Sequence, residues 1–138
     1  MDQTGITSTE GIANIPEVKT HLYLVHNDNL ASLNLSGLKK VERFSLSHNP
    51  ILENIKGLSN LEEVQNFAIS YNASLTSLDG LEGLKNSADL FLTASNNNAL
   101  ESYCSLQDLI ANGWTGFNAL QNLYNPTIGQ VAGEECKL

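Results

Sequence analysis

The run Val41-Glu42-Arg43-Phe44-Ser45-Leu46-Ser47-His48-Asn49-Pro50-Ile51-Leu52 places apolar side chains at Val41, Phe44, Leu46 and Leu52, with an asparagine between the last two. The same spacing returns at Val64, Phe67, Ile69, Asn72 and Leu75 and, after one extra residue following Val18, at Leu22, Leu24, Asn27 and Leu30. A weaker copy ends at Asn97 and Leu100. The asparagines Asn27, Asn49, Asn72 and Asn97 stand 22, 23 and 25 residues apart. A self-similar period of that size marks a chain wound into stacked coils, each burying its apolar side on its neighbours.

Within each period the hydrophobic spacing changes. Leu22–His26, Phe44–His48, Phe67–Tyr71 and a region within Leu90–Asn96 alternate every second residue, as half-buried strands do. Between them, Ile12, Ile15 and Val18 recur every third residue, as do Leu35, Leu38 and Val41, then Leu58, Leu61 and Val64. That spacing predicts tight 3₁₀-like turns rather than long helices. A return crossing of about fifteen residues makes neighbouring strands parallel, with rungs about 4.8 Å apart. The expected fold class is α/β: a right-handed solenoid with a short parallel sheet of four strands on its concave face, turns or short helices on its convex face, and a C-terminal cap. In the fourth copy, Ser87-Ala88-Asp89-Leu90-Phe91-Leu92 contains two additional residues, so either Leu90 and Leu92 or Leu92 and Ala94 point inward. Matching Ser95 to Ser70 favours the second.

Where the chain leaves each strand, backbone groups lose their ladder partners, and an inward amide can satisfy both donors and acceptors there. Asn27, Asn49, Asn72 and Asn97 are therefore expected to form a structural ladder rather than a site. Beyond Leu100 the period breaks off. Leu106, Leu109 and Ile110 take helical spacing with Ser105 as N-cap and Gly113 as terminator, and Asn125-Pro126 reads as the start of a second short helix ending at Gly133. The expectation is one domain over 1–138, with repeats over about 6–102 and a cap over about 103–138. Cys104 and Cys136 bracket that cap. They are either two unpaired buried thiols or, as their position favours, a disulfide, which predicts an oxidising, extracytoplasmic compartment.

Charge narrows the partners. With 7 basic and 15 acidic residues the net charge is −8, which opposes both a phosphate backbone and an anionic membrane. Nucleic acid is not expected as a partner. Neither is membrane insertion within this chain, since no apolar run approaches the roughly 20 residues of a spanning helix. The N-terminal run Met1-Asp2-Gln3-Thr4-Gly5 has neither the basic region nor the apolar stretch of a signal peptide, and the chain opens in the middle of a repeat. The uncapped coil Thr9–Val18 leaves Ile12 and Ile15 available to stack on an N-terminal domain or on another copy.

The spacing Val41-x-x-Phe44-x-Leu46-x-x-Asn49-x-x-Leu52 resembles the signature of leucine-rich repeats, with one extra residue before the final leucine. In that departure it is similar to the repeats of the receptor L-domain type and of bacterial surface repeat proteins. Tyr103-Cys104-Ser105-Leu106 through Gly113, then Tyr124-Asn125-Pro126-Thr127 and Gly133-Glu134-Glu135-Cys136, resembles the disulfide-closed end-cap of secreted bacterial repeat proteins. The resemblance implies a secreted or cell-surface module for protein recognition or adhesion, often a lipoprotein, with no catalytic residue to carry over.

Outward strand positions form three columns: Tyr23, Ser45, Ala68 and Thr93; Val25, Ser47, Ser70 and Ser95; His26, His48, Tyr71 and Asn96. With Arg43 and Asn66 at the strand entrances, the expected contact residues for a protein partner are Tyr23, His26, Arg43, Ser45, Ser47, His48, Asn66, Ser70, Tyr71 and Ser95. Two aromatics, Tyr23 and Tyr71, leave a carbohydrate partner as a weaker alternative, and a spacer or assembly element is another. No cofactor is expected: two histidines without a third ligand fall short of a zinc set. No enzyme is expected either, because the chain lacks G-x-S-x-G, C-x-x-C, H-E-x-x-H and a phosphate-cradling glycine loop.

Overall fold

The computed structural model describes residues 1, 5–85 and 88–138. Asp2, Gln3 and Thr4 of the N-terminal run, and Ser87 in the fourth copy, lie outside them. The fold is α/β, built on one all-parallel sheet of β1 (Glu17–Val25), β2 (Lys40–Ser47), β3 (Glu63–Ser70), β4 (Phe91–Ser95) and β5 (Phe117–Leu120), ordered in space as in sequence. Two short helices follow the repeating part, α1 (Gln107–Ala111) and α2 (Ile128–Ala132).

The register follows the sequence pattern residue by residue. Leu22, Phe44, Phe67, Leu92 and Phe117 are successive partners, as are Leu24, Leu46, Ile69, Ala94 and Ala119. The extra residue after Val18 is an irregularity in β1, between the pairs Val18–Val41 and His21–Arg43. In the fourth copy Leu92 and Ala94 are the inward pair. Behind the sheet, Leu35, Leu58 and Leu81 accept i+3 hydrogen bonds from Leu38, Leu61 and Leu84, and short 3₁₀ turns stand at Glu10–Ile12 and Lys56–Leu58. The core is thus a row of columns. The Phe44 and Phe67 rings stack with centroids 4.6 Å apart and nearly parallel planes, and each fully buried leucine contributes about 1.5 to 3 kcal/mol before entropy is subtracted.

Coils packed this closely leave no room for a side chain at certain turns. At Gly80, φ is +112° and a Cβ would stand 2.4 Å from the Ile55 carbonyl oxygen, so both backbone conformation and space demand glycine.

Four strands are expected and five are present. Trp114, Phe117, Ala119 and Asn122 occupy the positions of Val41, Phe44, Leu46 and Asn49 in one more rung, so the repeating part reaches into the segment assigned to the cap. Strands β2 and β3 also stop one residue earlier than expected, at Ser47 and Ser70, and β1 stops at Val25, because His26, His48 and Tyr71 turn into the left-handed region with φ of 53°, 54° and 54°.

The end-cap differs in its caps. Ser105 does not start α1: it lies in the 3₁₀ turn Cys104–Leu106 and its hydroxyl donates to the Leu78 carbonyl. Asn125 does not start α2, because its amide is engaged with Asn122. Thr127 does, in a capping box with Gln130. Gly113 terminates α1 at φ +90°. Cys104 and Cys136 form a disulfide with Cα atoms 4.9 Å apart, tying the 3₁₀ turn to the C-terminal strand-like end.

Candidate functional site

A ladder of buried asparagines forms the frame of the exposed face. The Asn49 side-chain amide donates to the Leu24 and Ser47 carbonyls, while its backbone and side-chain N–H groups both reach the Asn72 Oδ1 at 3.1 Å. Asn72 does the same with Leu46 and Asn97, and Asn97 with Ile69 and Asn122. Both ends are closed from within the chain. Asn27 donates to the Met1 carbonyl, and Asn122 hands both its N–H groups to the Asn125 Oδ1. Asn122 and Asn125 extend the expected ladder of Asn27, Asn49, Asn72 and Asn97. The signal was present in the sequence, since Asn122 follows Asn97 by 25 residues and Phe117 by the usual five.

The ladder fixes the residue just before each asparagine. His26, His48, Tyr71, Asn96 and Gln121 all hold φ between 53° and 56°, and each of the first four donates its backbone N–H to the next rung. Asparagine, aspartate and histidine enter this region several-fold more readily than other side chains, and a tyrosine there is uncommon. The row brings three rings together. His26 and His48 stack at 4.3 Å with planes 27° apart, and His48 and Tyr71 at 4.5 Å with planes 19° apart. Both faces of the His48 ring are therefore covered, and its Nδ1 is buried without a hydrogen-bond partner.

Beside this row lie three columns of outward strand positions. The first is His21, Arg43, Asn66 and Phe91; the second Tyr23, Ser45, Ala68, Thr93 and Asn118; the third Val25, Ser47, Ser70, Ser95 and Leu120. Their centre is a floor of small residues, with Ser45, Ser70 and Ser95 half-buried. Ser47 departs from expectation: it is 8% exposed, its short side chain recessed between register partners Val25 and Ser70, so it is floor rather than contact. Around the floor stand larger groups, with Tyr23 49% and Tyr71 50% exposed, and His26, Arg43 and Asn66 exposed. The structure thus gathers all ten expected contact positions on one face and adds His21, Phe91 and Leu120. His21 stacks on Tyr23 at 5.5 Å. These three were missed because β1 begins earlier than expected, the sequence locates the start of the fourth strand only within Leu90–Asn96, and a fifth strand is not expected from it.

Charged pairs concentrate at the strand entrances. Glu17, Lys40 and Glu63 are register partners, and Lys40 pairs with Glu63 at 2.8 Å. Lys85 pairs with Glu62. The pairing lifts the Lys40 ammonium above its ordinary value and holds the Glu62 carboxyl below its own, hydrogen bonding to the partner being the main cause in both. A groove of about 530 Å³ runs along these entrances, lined by Lys19, Glu42 and Gln65 as well as the paired groups. Among the described residues, no cluster of three or more His, Cys, Asp or Glu side chains is placed to hold a metal ion, and no helix is long and apolar enough to cross a membrane.

No protein-family model matches the chain, and neither a curated protein nor a solved structure shows significant similarity to it.

Proposed function

We propose that this chain is a leucine-rich-repeat solenoid that acts as a non-enzymatic binding module outside the cytoplasm, recognising a protein through the exposed face of its sheet. One observation carries the reading. Three consecutive rungs place His26, His48 and Tyr71 in a left-handed backbone conformation that costs about 1–2 kcal/mol per residue, although glycine would adopt it freely. Strain kept at bulky side chains gathered into one exposed row is characteristic of binding sites. The small-residue floor beside the row gives a partner's side chains somewhere to enter, and extended sheet faces are what solenoids offer for binding. The disulfide is consistent with an oxidising compartment. Stacking leaves the His48 ring only its edge to offer, which favours a partner that hydrogen-bonds over a sugar that lies flat on an aromatic face.

The test is capture of a partner from the extracytoplasmic fraction of the source cells by the immobilised protein. His48→Ala and Tyr71→Ala, each verified as folded by thermal melting, are expected to lose that partner. Retention of the same partner by both variants overturns the reading.

A second reading, assembly through the first coil, is favoured by one comparison. Ile15 is 39% exposed, whereas its equivalents Leu38, Leu61 and Leu84 are 1%, 0% and 7% exposed. Ile12, Val18 and Leu22 are likewise only half-buried. Sedimentation separates the two readings: Ile15→Glu changes the oligomeric state if this surface is an interface and leaves it unchanged otherwise.

A further inference from the structure

The chain carries 15 acidic residues and a net charge of −8, yet none of those carboxylates falls in the three outward columns or in the left-handed row. The same positions hold all three histidines, His21, His26 and His48, and the chain's only arginine, Arg43. A surface stripped of the charge that dominates the rest of the molecule stands out electrostatically. Arg43 is also exposed and makes no ion pair among the described residues, in contrast to Lys40 and Lys85, which are engaged by Glu63 and Glu62. The nearest acidic neighbour in sequence, Glu42, is half-buried and lines the entrance groove instead.

We infer that the sheet face selects an acidic segment of a partner protein, with the Arg43 guanidinium taking a carboxylate. The inference rests on the proposed reading of this face as the binding surface. A guanidinium presents a planar fork that matches a carboxylate in two parallel hydrogen bonds, and repulsion by the acidic remainder of the surface steers such a segment towards the one face that lacks its charge. The apolar groups on the face identify the partner as protein rather than an acidic polysaccharide. Phe91 is 45% and Leu120 51% exposed, one at each side of the floor, and a peptide has apolar side chains to cover them where a sulfated sugar chain has none.

The experiment pans a display library of random short peptides against the immobilised protein and measures a selected peptide by calorimetry. Enrichment of Asp and Glu in the selected peptides is expected, with affinity falling about tenfold for Arg43→Gln and recovering in part for Arg43→Lys. Selected peptides without acidic enrichment, or binding undiminished in Arg43→Gln, overturn the inference. Tyr71→Ala distinguishes the two levels of failure. Peptides that depend on Tyr71 but not on Arg43 leave the face as the binding surface and remove only its preference for acid. Peptides indifferent to both, or no selected peptide at all, overturn both readings. Binding of heparin in place of peptides, lost in Arg43→Gln, assigns the arginine to a sulfated polysaccharide and overturns the choice of a protein partner.

Discussion

The side-chain oxygen of Asn125 accepts both the backbone and the side-chain N–H of Asn122, at 2.8 and 3.1 Å, and so fills the place that Asn122 itself fills for Asn97. A ladder that began as a repeating device is thereby closed by a residue three positions further along the same chain. Interior and terminal members differ in burial, Asn72 being fully buried and Asn125 exposed, and their removal has different consequences.

Asn72→Ala removes the acceptor of two N–H groups of Asn49 and the donor to the Leu46 carbonyl, all buried. With each stranded group worth about 1–3 kcal/mol, the variant is expected to lose at least about 3 kcal/mol in urea unfolding. Asn125→Ala, at an exposed terminus, is expected to lose about 1 kcal/mol. Equal losses for the two would contradict the ladder's role.

Tyr71→Asn sets two effects against each other. Removing the ring loses stacking with His48 worth about 0.5–1.5 kcal/mol, while asparagine relieves a left-handed strain of about 1–2 kcal/mol. Stability within about 1 kcal/mol of the parent is expected, together with weakened partner binding. A large loss of stability would mean that the row is held for packing.

Cys104→Ser with Cys136→Ser opens a loop that ties the turn Cys104–Leu106, ahead of the last rung, to the C-terminal end. The expected loss is about 2–4 kcal/mol, read as a lower urea midpoint that reducing agent reproduces in the parent protein and leaves unchanged in the variant.

Tyr103 is fully buried, its hydroxyl donating to the Tyr124 carbonyl at 2.7 Å, and burial holds the phenol above its ordinary value of 10.0. The folded chain therefore keeps this proton where the unfolded chain releases it. The stability linked to Tyr103 is complete below about pH 10 and falls as the pH rises beyond it. Thermal melts across that alkaline range should show a falling Tm, and Tyr103→Phe, about 1 kcal/mol less stable at neutral pH, should flatten the fall.

The columns were legible because inward positions repeat at fixed spacing: Phe44, Leu46, Asn49 and Leu52 define a rung whose burial admits few alternatives. The fifth rung was hidden by substitution rather than by spacing. Trp114 replaces a valine, Ala119 a leucine, and Asn125 the closing leucine, so bulk and hydrophobicity no longer marked positions that the hydrogen bonds still use. At the site, strand alternation located Tyr23, Ser45 and Ser70, but it extends only to Ser47 and Ser70 in β2 and β3. The left-handed turn at His48 and Tyr71 comes from the asparagine that follows, a backbone constraint with no hydrophobic signature. Thr127 took the cap role from Asn125 because two polar residues competed for it and the ladder claimed one.

Rungs range from 22 to 25 residues in length, yet partner pairing through Phe44, Phe67, Leu92 and Phe117 is unbroken. One surplus residue is taken up within β1, between Val18 and His21 at the strand entrance, and the others fall between strands. Geometry at the front is thus decoupled from insertion and deletion behind it. Each outward position can be exchanged singly while its neighbours keep their coordinates, which makes the surface an addressable grid for grafting new specificities onto an unchanged frame.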